Sequence, residues 1–152
     1  MPIKTLVSEQ PLSIEEAMEW IQSPANGALE LFIGTVRATN LGRDVVSVHY
    51  DLFVPLAEQT FQTLCYEVQA QHADPLTLYL AHFKGPLPVG GVSVIIAVGS
   101  PHREEAFSAC RALIESLKER APIWKQEHYT NGMSEWVKGH ALCQHRGHTH
   151  AS

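Results

Sequence analysis

The chain is short of positive charge. Against 16 Asp and Glu it sets 11 Lys and Arg, a formal net charge of −5, which argues against a general nucleic-acid or anionic-membrane surface. An anionic ligand would have to be met by a local cluster of cations. Cysteine is scarce too: there are three, widely separated, with no Cys-x-x-Cys pair, so a disulfide framework is not expected. Cys65 and Cys110 fall on apolar helical faces, where cysteine behaves as a small hydrophobe. Cys143 lies in a polar stretch with no obvious partner. No apolar run is long enough to span a bilayer, and no cationic start precedes an apolar core; a soluble, cytoplasmic protein is expected. Neither a glycine-rich phosphate loop nor a carboxylate metal cluster is visible, which speaks against a phosphotransferase. His49, His72 and His82 are scattered without ligand spacing, and the histidines near the end of the chain have no fixed spacing, so no metal site is expected.

What is present suits an α+β domain. At 152 residues the chain can bury a sizeable core. Ile3–Val7 reads as a short strand, and Ser13 with Glu16 forms a capping box for a helix through Ile21. ALELFIGTVR, residues 28–37, looks like a strand buried on both faces, with Gly34 marking a bulge or close approach. DVVSVHYDL, residues 44–52, alternates as a second strand, and the short turn between predicts a hairpin with the first. Residues 54–72 are helical, with Leu56, Ala57, Phe61, Leu64, Cys65 and Val68 on one side. Two strands follow, 76–85 and 92–100, joined by PLPVGG. IWKQEHYT alternates as a strand with Lys125 and Glu127 on one side, and Asn131-Gly132 marks a hairpin with MSEWVK returning. One domain is expected over residues 1–139, with residues 140–152 a polar, flexible tail.

The stretch from Ser100 to Glu127 constrains function most. Ser-Pro opens a helix, Glu104 and Glu105 suit its first turn, and Pro122 ends it. Ala106, Phe107, Cys110, Leu113, Ile114 and Leu117 recur at helical steps as one apolar stripe. On this wheel Arg103 projects into the apolar arc and Lys118 falls just past its edge. Five of the eleven Lys and Arg lie between residues 102 and 127, with five acids. Taken singly, each cation could be ordinary: a rim lysine snorkelling, or an arginine displaced by the helix start. Together they form the local cluster that an acidic chain would need for an anion.

FIGTVR (32–37), SPHREEAF (100–107), LKERAPIWKQE (117–127) and EWV (135–137) occur in the order and at the separations of one family. The chain resembles the large, catalytic subunit of molybdopterin synthase from about Ser13 to Lys138, and the LKxRAPxWKxE segment is the most specific part. The resemblance implies an α/β hammerhead-like fold with additional antiparallel β hairpins. It implies a sulfurtransferase that converts cyclic pyranopterin monophosphate into molybdopterin by installing the dithiolene, within molybdenum cofactor biosynthesis. The sulfur would arrive as a thiocarboxylate on the C-terminal Gly-Gly of a small ubiquitin-like partner subunit. The large subunit would be a homodimer within a heterotetramer, with no cofactor and no metal. By resemblance, Arg37, His102 and Arg103 match the family's phosphate and pterin contacts, with Thr35 and Val36 at the same strand end. Lys118 and Lys125 match its two essential lysines, with Gln126 and Glu127 beside them in the substrate site. The competing class is a non-catalytic adaptor that binds an anion or pterin phosphate with the same cations.

Geometry adds one constraint. Arg103 and Lys118 lie fifteen residues apart on one helix, about 22 Å at a rise of ~1.5 Å per residue. A pterin is roughly half that long. His102 and Arg103 therefore serve either a different site from Lys118, or the Lys118 site of a second copy across a two-fold interface.

Overall fold

The computed structural model describes residues 2–134 and 136–138. In chain order the elements are β1 (Ile3–Ser8), α1 (Ile14–Ile21), β2 (Ala28–Thr35), β3 (Thr39–Asn40), β4 (Arg43–Leu52), α2 (Val54–Ala70) and β5 (Thr77–Phe83). There follow β6 (Gly85–Pro88), β7 (Val92–Ser100), α3 (Arg103–Arg120), β8 (Ile123–Tyr129), β9 (Gly132–Met133) and β10 (Val137–Lys138). They form an α+β fold with added antiparallel hairpins, as expected, and the strands divide into two sheets. One has the order β1-β5-β7-β2; the other runs β10-β8-β4-β3, with β6 also on β4 and β9 on β8.

The first sheet is buried on both faces at its centre, because successive side chains of a strand point to opposite sides. Leu78 and Leu80 of β5, with Ile96 and Val98 of β7, join Phe61 and Leu64 of α2 and Leu113 and Leu117 of α3 in the main core. Their alternates Tyr79, Ala81, Ile95 and Ala97 pack with Ala17 and Ile21 of α1 in a second cluster. Each large apolar side chain so buried contributes roughly 1.5–3 kcal/mol. α1 begins as its capping residue predicts: Ser13 Oγ accepts from the Glu16 amide at 3.1 Å. The reciprocal half of the box is replaced, since the Glu16 carboxylate pairs with Lys4.

Several expectations are corrected. The apolar run of residues 28–37 is an edge strand, half-buried along most of β2, because only β7 pairs with it. The strands covered on both faces are β5 and β7. Nor does β2 make a hairpin with β4. The chain leaves the first sheet at Val36–Ala38 and enters the second, where Thr39–Asn40 pairs with Arg43–Asp44. The turn residues Leu41 (φ 53°) and Gly42 (φ 76°) both lie in the left-handed region, as a two-residue hairpin turn requires. The link PLPVGG contains an unforeseen strand, β6, paired with β4. Ser100 ends β7 rather than capping α3; His102 is the N-cap, and its amide donates to Ser100 Oγ at 3.3 Å. Phe107, Leu56 and Arg103 are exposed. The apolar arc begins one turn later, at Ala106, so Arg103 opens the helix in solvent.

The bulge expected at Gly34 is present: the β2–β7 register shifts between Gly34 and Thr35. A Cβ there would lie 2.5 Å from Val94 Cγ1, so only glycine lets the strands approach this closely. The turn at Asn131-Gly132 also forms, returning the chain as β9 and β10 along β8. No described helix is long and apolar enough to cross a membrane. Cys143, the tail of residues 140–152 and its histidines lie outside the described residues.

Candidate active site

Where the chain passes from one sheet to the other, the seam opens as a cleft. Its walls are Phe32, Gly34 and Thr35 at the end of β2, then Val36, Arg37 and Asn40. Val48 and Tyr50 of β4, Ser93 and Val94 of β7, Lys118 of α3, and Lys125 and Glu127 of β8 complete it. The space is about 620 Å³ including its open mouth. An adjoining recess, about 440 Å³ including its open mouth, shares Tyr50, Ser93, Val94, Lys118 and Lys125, and adds His82, Ile114, Leu117, Ala121 and Ile123.

Each cation is placed by its element. Leu113 and Leu117 anchor the last turns of α3 in the core, which delivers the half-buried Lys118 to the cleft. The negative end of the helix dipole also favours a cation there. Lys125 and Glu127 share a face of β8 because they are two residues apart. Lys125 sits in register with Tyr50 of β4 on one side and Val137 of β10 on the other. Arg37 reaches the cleft from the inter-sheet crossing. That crossing is pinned by backbone bonds at Val36, whose amide donates to Gly91 and whose carbonyl accepts from Gly90. Val36 thus lines the cleft with its backbone bonded within the chain.

Glu127 is 5% exposed. Its Oε1 accepts from Asn40 Nδ2 at 2.6 Å and from the Tyr129 hydroxyl at 2.6 Å, so the buried carboxylate is held by two donors. Burial first, and then the hydrogen bond to Glu127, raise the Tyr129 pKa. The Arg43 guanidinium stacks 3.6 Å above the Tyr129 ring, a cation–π contact that ties the β3–β4 turn to β8.

Six of the nine expected site residues therefore meet in one cleft: Thr35, Val36, Arg37, Lys118, Lys125 and Glu127. Three do not line it. Gln126 alternates to the other face of β8 and donates to the Ser134 carbonyl at 2.8 Å. His102 and Arg103 stand exposed at the opposite end of α3. His102 Nδ1 is 3.5 Å from Asp74 Oδ2, and Glu105 lies close to both.

Sequence reasoning missed Tyr50, Asn40 and His82. The signal for His82 was its position inside the mostly apolar run LTLYLAHF. It is 5% exposed, its Nδ1 lies 2.8 Å from the Phe83 carbonyl, and its ring meets Tyr50 edge-on at 5.1 Å. Burial pushes its pKa down to about 4, and Lys118 and Lys125 push the same way against the Phe83 bond. His82 is thus neutral at neutral pH.

Residues 7–120 match the family model described as MoaE protein. The chain is 42% identical over 140 residues to the molybdopterin synthase catalytic subunit of Synechococcus elongatus, spanning 92% of this chain and 85% of that one. It is 36% identical over 131 residues to molybdopterin synthase catalytic subunit 1 of Mycobacterium tuberculosis, covering 86% and 88%. The structure of molybdopterin synthase from Staphylococcus aureus is similar with a TM-score of 0.82 at 30% identity, over 86% of this chain and 94% of that one. The fold also recurs in a complex of subunits 1 and 2 of molybdopterin-converting factor from Helicobacter pylori, with a TM-score of 0.69 at 23% identity over 86% and 87%. By the extent of the family match and the identity to its relatives, this chain belongs to the MoaE protein family.

Proposed function

We propose that this chain is the catalytic subunit of a cytoplasmic molybdopterin synthase. It transfers sulfur from the thiocarboxylated C-terminus of a small ubiquitin-like partner to cyclic pyranopterin monophosphate, forming the dithiolene. The observation that carries this reading is the convergence of Arg37, Lys118 and Lys125 on one cleft in a chain of net charge −5. A cyclic phosphate and a thiocarboxylate are both anions. Bringing them together requires fixed positive charge, an arginine fork for the phosphate and compact ammonium groups beside it. A lysine next to the reacting atoms also supplies a group that can give or take a proton.

Neither described cysteine supplies the sulfur in this reading. Cys65 and Cys110 are buried, and burial pushes both thiols up to about 12; neither supplies a thiolate at neutral pH. Residues 1–139 act as one unit in this reading, in a homodimer within a heterotetramer. His102 and Arg103 serve the cleft of the second copy, since their own cleft is about 22 Å away along α3. Gln126 supports the site from behind β8.

Docking of the partner is tested by calorimetry with the intact small subunit and with one lacking its last two glycines. Binding at least tenfold weaker on truncation is expected if the tail enters the cleft. Unchanged affinity contradicts tail docking.

A further inference from the structure

His82 lies outside the set of residues matched to substrate chemistry, yet it lines the recess that Lys118 and Lys125 share with the main cleft. A carbonyl can only accept, so the 2.8 Å contact to Phe83 places the ring proton on Nδ1. The neutral ring then has one remaining function: Nε2 is an acceptor. Tyr50 from β4 meets the ring edge-on, and Lys118 from α3, Lys125 from β8 and Ser93 from β7 line the same recess. Arg37 and Glu127 lie in the adjoining cleft. Lys118 is the stronger of the two lysine influences on the ring.

We propose that His82 is a positioning residue whose Nε2 accepts a hydrogen bond from the Lys118 ammonium and aims that lysine into the cleft. The proposal rests on reading the cleft as the active site. Its logic is that of a buried orienting partner: the Phe83 bond fixes the tautomer, burial keeps the ring uncharged, and the lone pair selects one ammonium rotamer. A protonated His82 would instead repel both lysines. An acceptor facing an ammonium favours its charged form. Losing that acceptor should therefore move Lys118 titration to lower pH and loosen its aim, and misplacement of a reacting group by about 1 Å can cost 10²-fold in rate.

The test reads Lys118 without turnover. The full chain is treated with an amine-selective acylating reagent across pH, and modification of Lys118 is followed by mass spectrometry. In His82→Asn, which keeps a donor for Phe83 but whose amide oxygen falls short of the Nε2 position, the midpoint for Lys118 should shift to lower pH. In His82→Gln, whose amide oxygen reaches further, it should stay near the wild-type value. No shift in a folded His82→Asn chain, or equal shifts in both variants, would overturn the proposal. A second measurement needs no His82 variant. In ¹⁵N-histidine-labelled protein, His82 should show the Nδ1–H tautomer, and its Nε2 signal should move toward that of a free acceptor in Lys118→Met. An Nε2–H tautomer, or an unmoved signal, refutes the assignment. Because neither readout involves sulfur transfer, a chain that shows this bond but has no transferase activity contradicts the functional reading alone.

Discussion

The Asn40 side-chain amide donates to Glu127 Oε1 across 2.6 Å, although the two residues are 87 positions apart in the chain. This bond fastens the short strand β3, just beyond Arg37, to the strand that carries Lys125. It also satisfies a carboxylate that burial would otherwise make costly.

Asn40→Ala should therefore affect stability and activity together. Removing one partner of a buried acceptor costs about 1–3 kcal/mol, readable as a lower denaturant midpoint. Arg37 is released with β3, so KM for the pterin substrate should rise. Unchanged stability would mean that Glu127 is satisfied without Asn40.

His82 gives the fold a calculable acid sensitivity. Its pKa is about 4 in the folded chain against an ordinary 6.5. Between these values the unfolded chain binds a proton that the folded chain does not. Stability is therefore fully present above pH 6.5 and is lost as pH falls toward 4, by on the order of 3 kcal/mol. Denaturant titrations at pH 4.5, 5.5 and 7 should show this slope reduced in His82→Gln, which has nothing to protonate there. An identical slope in the variant would assign the acid sensitivity to other groups.

If the cleft is completed by His102 and Arg103 of a second copy, two inactive chains should rescue each other. Arg103→Ala and Lys118→Ala homodimers are each expected to be inactive. Mixed dimers would regain one intact site of two, about half of wild-type activity per mixed dimer. Mass spectrometry verifies subunit exchange; proven exchange without recovered activity contradicts the shared site.

The site was readable in the sequence wherever local periodicity decided it. Two-residue spacing put Lys125 and Glu127 on one face of β8, and the helical wheel set Lys118 at the edge of the apolar stripe. Gly34 announced its bulge. What stayed hidden depended on non-local packing. An apolar composition cannot tell an edge strand from a central one, because strand order sets that, so β2 read as buried and the crossing to a second sheet read as a hairpin. His82 looked like one more scattered histidine, since nothing near it in the chain shows that α3 and β8 bring two lysines to the recess it lines. The start of α3 was misplaced for a local reason. Ser-Pro is a good helix opening, but the pairing of β7 with β2 extends through Ser100 and claims it for the sheet.

The central claim is that Lys118 and Lys125 work on a substrate sulfurated from outside the chain. Its most direct test is a single-turnover reaction of the full chain with thiocarboxylated partner and cyclic pyranopterin monophosphate, with dithiolene formation measured. The wild type should form product only when the partner carries the thiocarboxylate. Lys118→Ala and Lys125→Ala, at unchanged melting temperature, should each lose at least 10²-fold in rate, the scale of a positioned acid or base. Near-normal product formation by both variants, or product without a thiocarboxylated partner, would contradict the account.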